Sequence, residues 1–229
     1  MQALVSGANR GLGFEMTRQL LARGDRVVAA CRHPGKALAL TRLAGEHPGK
    51  LHVLPLDLAD PRSIAELARQ IGVLDLDVEL LVNNAGVLVE HERFGAIEPK
   101  SLRDSFAVNA EGAFLLAQAL NPHLADGAKI VNLSSTLGSI ASTSSLYSPS
   151  YAMSKAALNM ATRLLSIALA ARGIVVVSMS PGWVSTDMGG AGAPLKPEAS
   201  IASMLRVIDH LKHSDNGRFL SLNGETIPW

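Results

Sequence analysis

The chain has 229 residues, of which 48% are hydrophobic, 18% charged and only 4% aromatic. That supplies apolar mass for one full core and is short for two domains, and it excludes a disordered chain, a collagen-like fibre and a disulfide scaffold. The formal net charge is +1, from 21 basic and 20 acidic side chains, so no electrostatic surplus exists to drive binding to nucleic acid or an anionic membrane.

Cys31 is the single cysteine and cannot form an internal bridge, so nothing points to an oxidising compartment. No apolar run approaches the roughly 18 residues of a membrane span. The opening Met-Gln-Ala-Leu-Val-Ser-Gly carries no signal-peptide pattern, and a cytoplasmic location is the expectation.

Taken in chain order, apolar β-branched runs alternate with helical patterns. Ala3–Ser6 reads as a strand, Leu12–Ala22 as a helix closed by Gly24, and Arg26–Cys31 as a second strand. The helix Lys36–Ala44, the strand Leu51–Leu56 and the helix Pro61–Gly72 follow, the last capped by Asp60. Glu79–Val82 is a strand, Ser101–Leu120 one long helix, and Lys129–Leu133 a strand. Tyr151–Ala171 is a helix with Gly173 at its C-cap, and the pattern ends with the strand Ile174–Ser178, the helix Pro197–His210 and the strand Arg218–Leu222.

Most of the strands are continuously apolar, as strands covered on both faces are. The alternation predicts an α/β fold: a single domain over 1–229, with a Rossmann-type, doubly wound parallel sheet of about seven strands and helices on both faces. Tyr151–Ala171 is apolar around most of its circumference, which suits a helix buried against the sheet on one side and a second subunit on the other. A homodimer or homotetramer is expected on that ground.

Between the first strand and first helix lies Ser6-Gly7-Ala8-Asn9-Arg10-Gly11-Leu12-Gly13. Glycine lets main-chain N–H groups approach a pyrophosphate, and the helix N-terminus adds free donors and partial positive charge. The spacing Gly-x-x-x-Gly-x-Gly differs from the general dinucleotide fingerprint, so its position gives it weight. The second strand ends in Cys31-Arg32-His33 with no acid for a ribose, and Arg10 lies within the glycine turn. Two arginines and no acid favour NADP(H) over NAD(H).

Tyr151 and Lys155 are spaced to share a helix face. An ammonium beside a phenol would lower a pKa that starts at about 10, suiting the tyrosine to general acid–base work.

With these residues in place the chain resembles the short-chain dehydrogenase/reductase family over its whole length. The markers run in family order: Gly7/Gly11/Gly13, Asp57, Asn83-Asn84-Ala85-Gly86, Asn109, Ser135, Tyr151/Lys155 and Pro181-Gly182. The segments Pro181–Gly190, Gly217–Leu220 and Ile227-Pro228-Trp229 are most similar to the compact C-factor and sniffer-type carbonyl reductase branch.

The resemblance implies that Tyr151 exchanges a proton with the substrate oxygen and that Ser135 holds that oxygen. It implies that Lys155 binds the nicotinamide ribose and depresses Tyr151, and that Asn109 supports a water connecting Lys155 to solvent. Asp57 and Leu58 would meet the adenine, Asn83, Ala85 and Gly86 would line the cofactor cleft, and Pro181, Gly182, Val184 and Thr186 would seat the nicotinamide end. Asn9 and Leu12 belong to the glycine turn. Ser134 adjoins Ser135, and Ser135 is preferred because Ser135–Gly138 matches the family's Ser-x-x-Gly. The Ser135–Tyr151 stretch is longer than the family's usual spacing and reads as a loop at the pocket mouth.

Leu137, Tyr147, Trp183 and Met188, with the Gly/Ala/Pro-rich substrate loop near 185–198, are the expected pocket walls. They carry no charge, so a small uncharged aldehyde or ketone is the expected substrate. The rival readings are a NADP(H)-binding signalling protein with little turnover and a hydroxysteroid-like secondary-alcohol dehydrogenase. His210 and His213 lack companion ligands, so no metal site is expected.

Overall fold

The computed structural model describes residues 1–229. Its strands are β1 (Gln2–Ser6), β2 (Arg26–Cys31), β3 (Leu51–Pro55), β4 (Val78–Asn83), β5 (Leu124–Leu133), β6 (Val175–Ser180) and β7 (Phe219–Ser221). They form one sheet in the order β3-β2-β1-β4-β5-β6-β7, with every neighbouring pair parallel. The helices are α1 (Gly11–Ala22), α2 (Leu38–Glu46), α3 (Pro61–Val73), α4 (Pro99–Phe106), α5 (Gly112–Leu120), α6 (Pro149–Ala168) and α7 (Pro197–His210). This is the single-domain, doubly wound fold the alternation predicts.

Successive strand residues feed opposite layers, because side chains alternate across a sheet. Ala3 and Val5 of β1 join Met16 and Leu20 of α1, Leu40 of α2 and Ile201 and Met204 of α7 in one apolar cluster. Leu4 points the other way, to Leu67 and Ile71 of α3, Leu116 and Leu120 of α5 and Leu165 of α6. Both faces are therefore dry, which is why the strands carry apolar residues at nearly every position. Strand order reverses at β1/β4, so a crevice opens beyond the C-terminal ends of those strands.

Several boundaries differ from the sequence-based expectation: β5 begins at Leu124, five residues before the expected Lys129, α2 is Leu38–Glu46 in place of Lys36–Ala44, and two further helices depart more. The stretch read as one helix over Ser101–Leu120 is three pieces: α4, a π-helical turn at Ala107–Glu111, and α5. Its apolar periodicity is nearly continuous, so a local widening of the helix leaves no mark in composition. The helix read from Tyr151 begins two residues earlier at Pro149, where proline suits the first turn, and ends at Ala168 before a 3-10 turn at Ala170–Arg172.

No helix is long and apolar enough to cross a membrane. No group of three or more His, Cys, Asp or Glu side chains gathers to hold a metal, and His210 Nδ1 lies 2.7 Å from the main-chain oxygen of Arg206.

Candidate active site

The crevice at the switch point is a cleft of about 750 Å³. One wall is the glycine turn. Gly7 has φ +65°, and a Cβ on it would lie 2.8 Å from the Ala85 Cα, so the turn rests directly on the strand-four loop. A Cβ on Gly13 would lie 2.3 Å from both the Gly7 carbonyl and Asn84 Nδ2. Those glycines bring α1 and two loops closer together than any side chain permits.

Asn84 locks the contact: its Nδ2 donates to the carbonyls of Ser6 (2.8 Å) and Gly7 (3.1 Å). The buried Ser6 hydroxyl accepts from the amides of Asn84 and Ala85, each at 3.1 Å. The N-terminus of α1 has no side-chain cap and no acid in its first turn, so its donors remain available to an anion.

Of the residues expected at the cofactor, Gly7, Asn9, Arg10, Gly11, Leu12, Arg32, Asp57, Leu58, Ala85 and Gly86 line the cleft, as do Pro181, Gly182, Val184 and Thr186. Gly13 and Asn83 do not. Gly13 is a packing position under the turn, and Asn83 is buried in the sheet, donating to Asn132 Oδ1 at 2.8 Å and the Ala113 carbonyl at 3.3 Å. Arg10 is paired with Asp187 at 2.7 Å, both exposed, which joins the glycine turn to the loop carrying Thr186. Asp57 Oδ1 accepts from the Ala59 amide at 3.0 Å. Cys31, His33 and Lys36 also line the cleft and carried no motif.

The opposite wall is built on α6. Gly138 closes a 3-10 turn, Thr136–Gly138, and a Cβ there would lie 2.8 Å from the Lys155 Cβ and carbonyl carbon. Asn159 Nδ2 donates to the Gly138 carbonyl at 3.1 Å. The Ser-x-x-Gly spacing thus seats the serine turn on the helix that carries Tyr151 and Lys155. The Ser135 hydroxyl accepts from the Leu137 amide at 3.2 Å and lines the cleft together with Tyr151. Ser134 is buried, and its Oγ meets no partner.

Lys155 is buried at 3% exposure, and its Nζ donates to the Leu133 carbonyl at 2.6 Å, 5.5 Å from the centroid of the Tyr151 ring. The expected pKa coupling is not what governs this pair. Burial pushes the Tyr151 phenol up to about 12, opposed by the nearby Ser135 hydroxyl, and burial alone pulls Lys155 down to about 8.

Asn109 sits in the π turn, and such turns recur at functional sites. Its Oδ1 accepts from the Val87 amide (2.8 Å), and its Nδ2 donates to the Val87 carbonyl and the Ser154 hydroxyl (2.9 Å each). Asn109 is set behind the cleft and ties the Gly86–Val87 segment of the loop after β4 to α6. Glu92 makes a second tie that no motif indicated, accepting from the Ser150 amide at 3.0 Å and from its hydroxyl at the N-terminus of α6.

Leu137, Tyr147, Trp183 and Met188 line the cleft, with Tyr147 and Trp183 exposed at its mouth. Trp183 Nε1 donates to the Gly189 carbonyl at 2.8 Å.

The cleft, the glycine turn and the Ser–Tyr–Lys wall define a nicotinamide-dependent oxidoreductase on a doubly wound sheet. The short chain dehydrogenase family matches residues 1–194, and the chain belongs to that family. It is an NAD(P)-dependent oxidoreductase. It is similar to C-signal of Myxococcus xanthus, 40% identical over 154 residues that cover 66% of this chain and 93% of that protein. Among solved structures it resembles the carbonyl reductase Sniffer of D. melanogaster (TM-score 0.94, 32% identity, covering 100% of this chain and 99% of that one). It also resembles an NADPH-bound carbonyl reductase from chicken fatty liver (TM-score 0.93, 36% identity, covering 100% and 98%).

Proposed function

We propose that the protein is an NADPH-dependent reductase of small uncharged aldehydes or ketones. The observation that carries this reading is that Ser135, Tyr151 and Lys155 line one wall of a cleft whose other wall is an uncapped helix N-terminus. The close-packed glycines and the free donors of α1 fit a dinucleotide pyrophosphate, which Gly7, Asn9, Gly11 and Leu12 would hold. Arg32 and Arg10 would take the 2′-phosphate, and Pro181, Gly182, Val184 and Thr186 would seat the nicotinamide end. The bound cofactor supplies the hydride for the carbonyl carbon.

This chain's own residues handle the oxygen. Ser135 donates a hydrogen bond to the carbonyl oxygen as negative charge develops there. Tyr151 delivers its phenolic proton to that oxygen as general acid. The Lys155 ammonium lies on the same helix face and opposes the negative charge left on Tyr151. Asn109 and Glu92 are positioning residues that hold α6 against the strand-four loop.

The walls Leu137, Trp183 and Met188 are apolar and Tyr147 is neutral, so they offer no anchor for a charged substrate. Met153, Met160, Leu164 and Ile167 leave an exposed apolar face on α6, 51–67% accessible, which a second copy of the chain would cover.

NADPH oxidation measured with a panel of aldehydes and ketones tests the reading. Turnover is expected, with a loss of about 1,000-fold in Tyr151→Phe while NADPH binding stays intact. The 40% identity to C-signal favours a second reading, a signalling protein that binds NADP(H) and turns over little. Tight NADPH binding with no carbonyl reduced would select it.

A further inference from the structure

The three residues Ile227-Pro228-Trp229 line no part of the cleft, yet they are bonded into its neighbourhood. The tail returns antiparallel along β7: Ser221 N donates to Glu225 O and Ile227 N to Phe219 O, each at 2.8 Å. The Trp229 ring stacks on the buried Phe219, with centroids 5.7 Å apart and planes 21° from parallel. From that anchor the tail reaches the loop after the serine turn. The Ser139 hydroxyl donates to the Pro228 carbonyl at 2.7 Å, and the Ala141 amide donates to the Trp229 main-chain oxygen at 2.8 Å. Ser139 is fully buried, and it holds the loop's own start: its hydroxyl accepts from the Ser142 amide, and its carbonyl accepts from Thr143 Oγ1 at 2.7 Å.

We infer that Pro228 and Trp229 are positioning residues for the carbonyl substrate, acting through the 139–148 loop, whose Tyr147 forms one wall of the pocket mouth. This deepens the reductase reading and rests on it. The tether divides the serine turn from the loop. Ser135–Gly138 is fixed to α6 independently, by the Gly138 contact with Lys155 and the Asn159 bond. Beyond Gly138 the loop's residues 140–147 are all exposed, so the bonds to the tail and within the loop are what order it. Releasing the tail therefore loosens the substrate wall while the reacting hydroxyls and the cofactor wall stay in place.

Steady-state kinetics with NADPH and 4-nitrobenzaldehyde, together with amide hydrogen exchange, test this. Trp229→Ala is expected to raise KM by about 10-fold, the equivalent of one or two lost contacts. It should change kcat by less than about 3-fold, leave the NADPH Kd within about 2-fold, and speed exchange at residues 140–147 by about 10-fold with α6 unchanged. Trp229→Phe keeps the stack and should restore the wild-type KM. Ser139→Ala removes one hydroxyl and should raise KM by about 3-fold with the same exchange pattern, so it decides the matter if Trp229→Ala does not fold.

An unchanged KM overturns the inference. So does a joint fall of kcat, NADPH affinity and thermal stability, because that describes a general brace. Should the wild type reduce no carbonyl, the reductase reading fails by itself, and unchanged exchange at 140–147 in both variants would sink the tether.

Discussion

The two walls of the cleft are built by opposite means. The glycine wall works by omission: Gly7 and Gly13 lack the Cβ atoms that would strike Ala85, Asn84 and the Gly7 carbonyl, and the groups it offers are main-chain donors at an uncapped helix end. The α6 wall works by burial: Lys155, Asn109, Ser154 and Asn159 are all nearly inaccessible and are held by explicit side-chain bonds. The first arrangement costs backbone conformational entropy at each glycine and tolerates no added atoms. The second tolerates changes of size better and carries a standing desolvation cost, most of it at the Lys155 ammonium.

Substitutions on each wall can break or sharpen that contrast. The largest effect is expected for Gly13→Ala. The new methyl meets backbone at 2.3 Å, so NADPH binding should fall by more than about 100-fold and stability by about 2–3 kcal/mol, read by fluorescence titration and thermal unfolding.

Lys155→Met should do the reverse for stability. Turnover is expected to fall about 1,000-fold while the protein gains about 2 kcal/mol at pH 7, because a buried charge is replaced by an apolar chain of similar length. The pH dependence gives a second reading. Burial lowers Lys155 from 10.5 to about 8, so between those values the unfolded chain binds a proton that the folded chain does not. Wild-type stability should gain from this group as pH rises from about 8 to about 10.5, and the Met variant should lack that gain in denaturant titrations. A loss of stability in Lys155→Met would mean the ammonium is a structural partner.

Asn109→Ala leaves the Val87 amide and carbonyl and the Ser154 hydroxyl short of a partner. A loss of about 2 kcal/mol and a 10- to 100-fold fall in kcat are expected in paired unfolding and kinetic measurements. The smallest effect belongs to the exposed arginine of the first wall. Arg32→Ala should weaken NADPH by about 10-fold and leave NADH unchanged in parallel titrations, and equal losses would remove Arg32 from the 2′-phosphate.

The same contrast explains what could be read in advance. The glycine wall is local in sequence, and the β-branched strands on either side mark its place, so the turn, the sheet and five of the seven helices are legible from residue types alone. The α6 wall is assembled across long separations. Ser150 meets Glu92 from 58 positions away, and Ser154 meets Asn109 from 45. Glu92 carries no motif, and Asn109 is marked only by the family resemblance. The π turn around Asn109 is hidden because the apolar periodicity runs through it nearly unbroken. The Lys155 environment was the hardest to foresee: spacing puts lysine and tyrosine on one face, but only packing reveals that the ammonium is enclosed and turned to the Leu133 carbonyl.

The antiparallel return of the tail along β7 bears on how copies of the chain can meet. A parallel sheet ends in two strands whose outer N–H and C=O groups invite pairing with another molecule. Here one of those edges is taken by the chain itself, through Ser221, Glu225, Phe219 and Ile227. The other, β3, is five residues long and finishes at Pro55, which offers no donor. Sheet growth from chain to chain is thus blocked at one side and curtailed at the other. Association is left to helical surfaces, where side-chain shape, and not exposed backbone, selects the partner.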